Sequence, residues 1–135
     1  MKRTILGLLG ITTALVMATF VPADAQAPAD LFKRAILQRG DLSAPGREGV
    51  MAMGEFLPTG TTGRHTHPGE EITYVLAGPL VLEIDGKPAR TLQTGDFFMI
   101  PAGTVHNAKN LGTGVAKVVA TYVVEKGKPV TTPVP

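Results

Sequence analysis

The sequence has 135 residues, enough for one domain, and its 16 glycines, 11 prolines and few aromatic residues favour a turn-rich β fold over a helical bundle. The formal charge is only +2 and the basic residues are scattered, so the basic stripe of a nucleic-acid-binding protein is missing. Cysteine is absent, which excludes disulfides, thiolate metal sites and cysteine nucleophiles.

The N-terminus predicts a secretory signal peptide over residues 1–25. Two basic residues begin the chain, an uncharged apolar run follows over residues 5–20, and Ala23 and Ala25 supply the Ala-x-Ala pattern of a cleavage site. The alternative is an uncleaved membrane anchor, but the apolar run is shorter than the ~20 residues that span a bilayer. We therefore expect cleavage after Ala25 and a periplasmic or secreted protein without stable membrane insertion.

The rest of the chain predicts short strands separated by turn residues, with no segment of helical period and useful length. The predicted strands are residues 31–42 (a strand in preference to a short helix), 50–57, 72–76, 80–84, 88–92, 97–100, 104–109 and 115–124. Asp85-Gly86 predicts a two-residue hairpin turn. This pattern favours an all-β sandwich or barrel.

The predicted organisation is a lead-in over residues 26–49, a β-barrel over residues 50–125 and a proline-rich tail over residues 126–135, which we expect to be frayed. Within the barrel, the apolar run over residues 72–76 predicts a buried strand. The strand over residues 50–57 has Met51, Met53 and Glu55 on one face and Ala52, Gly54 and Phe56 on the other.

Two histidines lie two residues apart, at His65 and His67. In an extended strand such residues project from the same face. The Pro68-Gly69 turn then brings Glu70 or Glu71 back toward the imidazoles. Two nitrogen donors and one oxygen donor on one surface indicate a divalent-metal site.

The third histidine, His106, lies about forty residues downstream on another predicted strand, so it can join the pair only through tertiary folding. Three imidazoles and one carboxylate suit Mn, Fe, Ni, Cu, Co or Zn, and the residues do not choose among these metals. Four protein ligands leave two open positions on a six-coordinate metal, whereas they would close a tetrahedral zinc site.

These residues lie in two motifs that resemble those of a small single-domain cupin. The first motif matches through His65-x-His67, Glu71 three residues later and Gly78 six residues after that, although Gly60 stands four residues before His65 where the family has five. The second motif matches at every position, through Gly95, Pro101, Gly103, His106 and Asn110. The resemblance covers residues 50–124, most of the chain that follows the signal peptide.

The resemblance implies a single jelly-roll β-barrel that encloses the metal, with His65, His67, Glu71 and His106 as the ligands. It implies Glu71 rather than Glu70, because only Glu71 keeps both motif spacings. It also implies a homodimer.

The remaining motif residues receive structural roles. We expect Gly78, Gly95 and Gly103 to be turn residues with positive φ, and Asn110 to hydrogen-bond a loop backbone. The larger apolar side chains are expected to form the core: Met51, Met53, Phe56, Tyr74, Phe98, Met99 and Tyr122.

Three side chains are candidate substrate contacts. Arg64 could hold a carboxylate bidentately, and Tyr74 and Tyr122 could donate hydrogen bonds if they line the cavity. The alternatives are a solvated arginine and two core tyrosines.

The resemblance favours a metal-dependent enzyme, an oxidoreductase of dioxygenase type acting on a small molecule, with no catalytic residue assigned beyond the expected metal ligands. The alternatives are a metal-dependent isomerase or lyase and a non-catalytic module that binds a small molecule or a metal. One cupin fold hosts many activities, so the fold alone does not decide between them.

Overall fold

The computed structural model describes residues 30–135, and the predicted signal peptide lies outside the described residues. This part of the chain forms ten strands: β1 (Phe32–Asp41), β2 (Arg47–Phe56), β3 (His65–Thr66), β4 (Gly69–Ala77), β5 (Leu80–Ile84), β6 (Arg90–Leu92), β7 (Phe97–Ile100), β8 (His106–Lys109), β9 (Ala116–Glu125) and β10 (Thr132–Pro133). Residues 30–135 contain no helix, and hence none that is long and apolar enough to cross a membrane.

The strands form two five-stranded antiparallel sheets. One sheet has the order β1-β2-β9-β4-β7 and the other the order β10-β3-β8-β5-β6. Sequential strands therefore alternate between the sheets in several places, and the two sheets enclose the core in a jelly-roll arrangement. The all-β prediction is confirmed, and so is the preference for a strand over residues 31–42.

The core is formed by alternate residues of the long strands. In β2 the buried side is Ala52, Gly54 and Phe56, whereas Met51 is exposed and Met53 is partly buried. Strand β9 alternates in the same way along all ten of its residues. The buried apolar residues of the two sheets form two clusters, one around Phe56 and one around Val50.

Strand β4 departs from the prediction of a buried strand. Its inward residues are Glu71, Thr73 and Val75, whereas Ile72 and Tyr74 are about half exposed on the other face. A continuous apolar run does not reveal that only one face of a sheet is covered. The core assignment of Tyr74, Met51 and Met99 was wrong for the same reason, since all three are exposed.

Asn110 stabilises the loop that follows β8, as predicted. Its side-chain amide donates to the carbonyl oxygens of Phe56 and Gly114, and its Oδ1 accepts from the Gly112 amide, at distances of 2.8 to 2.9 Å. The residue is fully buried, so each polar atom of its side chain is satisfied by backbone.

The glycine prediction holds for Gly95 and Gly103, which have φ of 93° and 70°. It is wrong for Gly78, whose φ is not positive. A Cβ built at Gly78 would approach the Leu92 carbonyl oxygen to 3.0 Å, so close backbone packing is the constraint at this position.

The predicted hairpin joins β5 to β6, with a turn closed by the Lys87 amide donating to the Ile84 carbonyl at 3.0 Å. The β5–β6 pairing ends at Leu82 and Arg90, so the connection is longer than the two residues predicted, and Glu83 and Ile84 pair with β8 alone.

The prediction of a frayed C-terminal tail was wrong. Thr132 and Pro133 form β10, which pairs with β3, and Val130 is buried in the second core cluster. The Val134 amide donates a hydrogen bond to the Arg64 carbonyl at 2.9 Å. The tail is therefore part of the sheet that carries His65.

We expect Gly69→Ala to destabilise the fold. A Cβ at Gly69 would lie 2.0 Å from the Val123 carbonyl oxygen and 2.7 Å from the Val124 Cα, and backbone atoms cannot move aside locally. The expected loss is at least ~1–3 kcal/mol in the free energy of unfolding, measured by urea denaturation. Gly40→Ala is the matched strand control, since nothing lies within 4 Å of its Cβ. Equal stability of the two variants would contradict the packing argument.

Candidate metal centre

The sequence motifs meet between the two sheets. His65 in β3 is the direct cross-strand partner of His106 in β8, so the two imidazoles project from adjacent strands of one sheet. Glu71 projects from β4 in the other sheet, where its cross-strand partners are Ile100 and Tyr122. His67 lies in the short connection between β3 and β4. Tertiary folding therefore brings His106 to the first pair, as the motif spacing predicts.

All four side chains are buried, and one ligand atom from each lies within 4.8 Å of the others. Glu71 Oε2 lies 2.9 Å from Nε2 of His67 and 3.0 Å from Nε2 of His106. The imidazole centroids of His65 and His106 are 4.3 Å apart. Glu70 is half-buried and outside this group, in agreement with the choice of Glu71.

Each imidazole is oriented by a backbone carbonyl. Nδ1 of His65 lies 2.8 Å from the Gly63 oxygen, Nδ1 of His67 lies 2.6 Å from the Val130 oxygen, and Nδ1 of His106 lies 2.9 Å from the Thr104 oxygen. A carbonyl oxygen only accepts, so each Nδ1 carries the proton and donates it. In the neutral imidazole this leaves the Nε2 lone pair free for a metal.

The charge states are set by burial and by these contacts. Burial lowers the pKa of His65 to about 4, so this imidazole is neutral at pH 7. For Glu71, burial alone would raise the pKa, but the close contacts with the His106 and His67 imidazoles and the hydrogen bond from the Thr73 hydroxyl outweigh it, and the pKa is lowered. For His106, burial alone would lower the pKa, but the hydrogen bonds to Glu71 and to a backbone carbonyl outweigh it, and the pKa is raised. Glu71 is thus a buried carboxylate.

The donor set fits a metal ion. With Nδ1 protonated in each ring, the Nε2 lone pairs of His67 and His106 face the acceptor Oε2 of Glu71 at about 3 Å. Two acceptors at this distance require a cation between them, either a proton or a metal ion. Three buried imidazoles and one carboxylate could therefore bind a divalent transition metal, whose identity the four donors do not specify.

The site borders a small cavity that widens toward the surface. The inner chamber has a volume of about 30 Å³, room for about two water-sized molecules, and its walls beyond the metal ligands are largely apolar, including Phe56, Leu82 and Phe98. The outer vestibule has a volume of about 270 Å³. The residues that line it are Phe32, Arg34, Thr62, His65, Tyr122 and Thr131.

The three candidate substrate contacts are placed differently. Tyr122 lines both spaces, and its ring lies 4.7 Å from that of His67. Tyr74 is on the outer face of β4 and lines neither space. Arg64 is exposed, pairs with Asp85 at 2.6 Å and donates to the Pro135 carbonyl, so it is also outside the cavity.

Sequence reasoning missed the residues that support the ligands. Thr73 donates to Glu71 Oε1 at 2.6 Å, and its position two residues after Glu71 on the same strand face was a usable signal. No sequence pattern indicates that the Val130 carbonyl orients His67, because every residue has a backbone carbonyl and the residue type does not show what that carbonyl contacts. Arg34, on β1, was not considered for the site.

The fold and the two motifs agree with the comparisons with known proteins. The family model for the cupin domain matches residues 52–125, and the chain belongs to the cupin family. Its structure is also similar to that of an oxalate oxidase in complex with the substrate analogue glycolate, with a TM-score of 0.63 at 24% identity over 81% of this chain and 63% of the other. At that identity the likeness concerns the fold.

Proteins of related sequence include a germin-like protein and a transcriptional regulator. Germin-like protein 1-1 of Oryza sativa subsp. japonica is 35% identical over 53% of this chain and 36% of its own. The HTH-type transcriptional regulator PuuR of Escherichia coli is 34% identical over 58% of this chain and 42% of its own. The chain thus spans about two fifths of the length of these relatives.

We expect removal of residues 129–135 to weaken metal binding by ~10–100-fold, because the truncation removes the carbonyl that holds the His67 ring. Isothermal titration with Mn²⁺ or Zn²⁺ measures the change. Removal of residues 134 and 135 alone is the control, since it leaves Val130 and β10 in place. Equal affinities of the two truncated proteins would contradict the role of the tail in orienting the ligand.

Proposed function

We propose that this protein is a metal-dependent oxidoreductase of dioxygenase type that acts on a small molecule. The observation that carries the proposal is the position of the ligand set. His65, Glu71 and His106 line an apolar chamber of about 30 Å³ that continues into a larger vestibule. When bound, a redox-active metal would supply the electron-transfer chemistry that none of the side chains around it provides.

The protein contributes positioning, charge and exclusion of water. The carbonyl contacts hold the three imidazoles with Nε2 directed inward, and Thr73 fixes the Glu71 carboxylate. The chamber is small and apolar, which suits an uncharged diatomic molecule better than a polar one. The vestibule has the room and the polar groups for a small organic substrate.

Three named proteins bear on this proposal. The structural likeness to an oxalate oxidase and the sequence likeness to a germin-like protein support an oxidoreductase on a small substrate. The second candidate function is a non-catalytic ligand-binding module, favoured by the 34% identity to part of a transcriptional regulator. A metal-dependent isomerase or lyase remains the enzymatic alternative, with a Lewis-acid metal in the same site.

We expect the protein, purified without metal-affinity tags, to contain about one redox-active metal ion per chain, as determined by elemental analysis. His106→Ala should lose this metal while keeping its β-sheet circular dichroism, because the apolar clusters do not depend on that side chain. Arg64→Gln, outside the cavity, is the control and should keep the metal. Oxygen uptake would then be measured with a panel of small hydroxy and keto acids.

The outcomes separate the candidates. Oxygen uptake that requires His106 supports the proposal. Stoichiometric zinc without oxygen uptake overturns it in favour of an isomerase, a lyase or a closed structural site. A metal-free protein that retains a tightly bound small molecule overturns it in favour of a binding module.

We also propose that two copies associate through the outer face of the β1-β2-β9-β4-β7 sheet. Two cross-strand rows on this face are almost entirely apolar: Met51, Thr121, Ile72 and Met99, and then Met53, Val119, Tyr74 and Phe97. Phe97 is 75% exposed and Met99 62% exposed. A contiguous apolar surface of this kind marks an interaction site, and a second copy offers an identical surface for a two-fold contact.

Phe97→Asp should convert the dimer to a monomer, since it would bury an unpaired charge at the contact. Light scattering coupled to size exclusion measures the mass. Leu111→Asp is the matched control, because Leu111 is 70% exposed but lies in a loop away from this face. A monomeric wild type, or identical masses for both variants, would contradict the proposed interface.

We propose export as well, on the signal-peptide pattern of residues 1–25 alone. The intact mass of protein recovered from the periplasm or medium should correspond to a chain that begins at Gln26. A mass that retains the first 25 residues would refute cleavage at this position.

A further inference from the structure

One arginine lies at the mouth of the cavity. Arg34 projects from β1 on the same face as Phe32 and lines both the inner chamber and the vestibule. No other arginine of residues 30–135 lines either space. Its Nη1 donates to the Thr131 hydroxyl at 2.6 Å, which connects the first strand to the C-terminal segment across the entrance.

The guanidinium of Arg34 has no acidic partner in the described part of the chain, where no carboxylate lies within 4.0 Å of it. Arg39 and Arg64 contrast with it, because each pairs with a carboxylate, that of Glu48 and that of Asp85. A guanidinium carries five N–H donors, and the neutral Thr131 hydroxyl accepts only one of them. Arg34 therefore brings an uncompensated positive charge and free donors to the vestibule.

Tyr122 supplies a second donor beside Arg34. Tyr122 lines both the chamber and the vestibule, as Arg34 does. A phenol hydroxyl is a hydrogen-bond donor and can donate to an acceptor in the vestibule. The other hydroxyl nearby, that of Thr62, is within hydrogen-bond distance of Asn107 and the Gly63 carbonyl.

We propose that Arg34 is the anion-binding residue of the site. The substrate carries a carboxylate group, which Arg34 binds in the vestibule. This inference rests on the proposed function and deepens it, by naming the substrate class. A planar guanidinium fork matches a carboxylate with two parallel hydrogen bonds. The Tyr122 hydroxyl is placed to contact a polar group of the same molecule nearer the metal ligands.

The charge of the whole site also favours a substrate with a carboxylate group. A divalent ion held by neutral imidazoles and one carboxylate leaves a net charge of +1, and Arg34 adds a further positive charge at the entrance. The vestibule has a volume of about 270 Å³, which is room for a small organic acid. A small carboxylic acid would fit this space and compensate the charge, whereas an uncharged molecule would leave the charge of Arg34 unpaired.

The test compares glycolate with glycolamide, which has the same size and hydroxyl group but no charge. Binding is measured by isothermal titration to metal-loaded and metal-free protein, with inorganic phosphate as a second anion. We expect the wild type to prefer glycolate in both forms and to bind phosphate more weakly. Arg34→Gln should weaken glycolate binding by ~10–100-fold and leave glycolamide binding unchanged, and Arg34→Lys should lose only part of the affinity.

Two control variants isolate the role of the charge. Arg64→Gln removes an arginine outside the cavity and should bind glycolate like the wild type. Thr131→Val removes the contact across the entrance but keeps the guanidinium, so its affinity should stay within ~3-fold of the wild type. A loss in Thr131→Val as large as that in Arg34→Gln would overturn the proposal, because the arginine would then act only by holding the tail.

Metal content, measured in every variant, separates this inference from the proposed function. Unchanged glycolate affinity in Arg34→Gln, with metal retained, overturns the inference and leaves the metalloenzyme intact. Equal affinity of the wild type for glycolate and glycolamide, or tighter binding of phosphate than of glycolate, overturns it too. If the wild type binds glycolate but no metal, and Arg34→Gln lowers the glycolate affinity, the proposed metalloenzyme is refuted and the anion site is supported.

Discussion

The three hydrogen bonds from histidine Nδ1 to backbone carbonyls are the constraint on which the centre depends. Each bond fixes both the tautomer and the direction of its ring, and together they direct Nε2 of His65, His67 and His106 toward Glu71. Without them, a buried imidazole could rotate or exchange its proton between the two nitrogens. The positions of the carbonyls are properties of the backbone, so the centre is only as rigid as the loops and strands that carry them.

One of those three carbonyls comes from a distant part of the chain, so the centre is complete only with the C-terminal segment in place. Two of the carbonyls, those of Gly63 and Thr104, lie two residues before the histidine they orient. The third is that of Val130, 63 residues away from its histidine. The pairing of β10 with β3 brings it there, so the last strand of the protein completes the support of one of its earliest ligands.

The sequence predicted what depends on spacing and on alternation. The cluster of His65, His67, Glu71 and His106 followed from the resemblance of two spaced motifs to those of cupins, and the division of β2 into two faces followed from its period of two. It did not predict features that depend on which faces of the two sheets pack against each other. Tyr74 was assigned to the core or the cavity because apolar character alone does not tell an inner sheet face from an outer one. The partner of each arginine was equally hidden, since ion pairs join strands that are remote in sequence.

The two ends of the cavity differ in polarity, and the strand registers produce that difference. Inward positions of β2 and β9 place small or apolar side chains, such as Ala52 and Val118, around the inner chamber. Arg34 and Tyr122 lie where the chamber meets the vestibule, since they line both spaces, and Thr131 lies on the vestibule side. A carboxylate among the apolar walls would lose its hydration without gaining a partner, whereas beside Arg34 and Tyr122 it would meet a guanidinium and a phenol. An uncharged diatomic molecule has no such preference. His65 also lines both spaces, so an acid held beside Arg34 would lie next to the cluster of three imidazoles and one carboxylate.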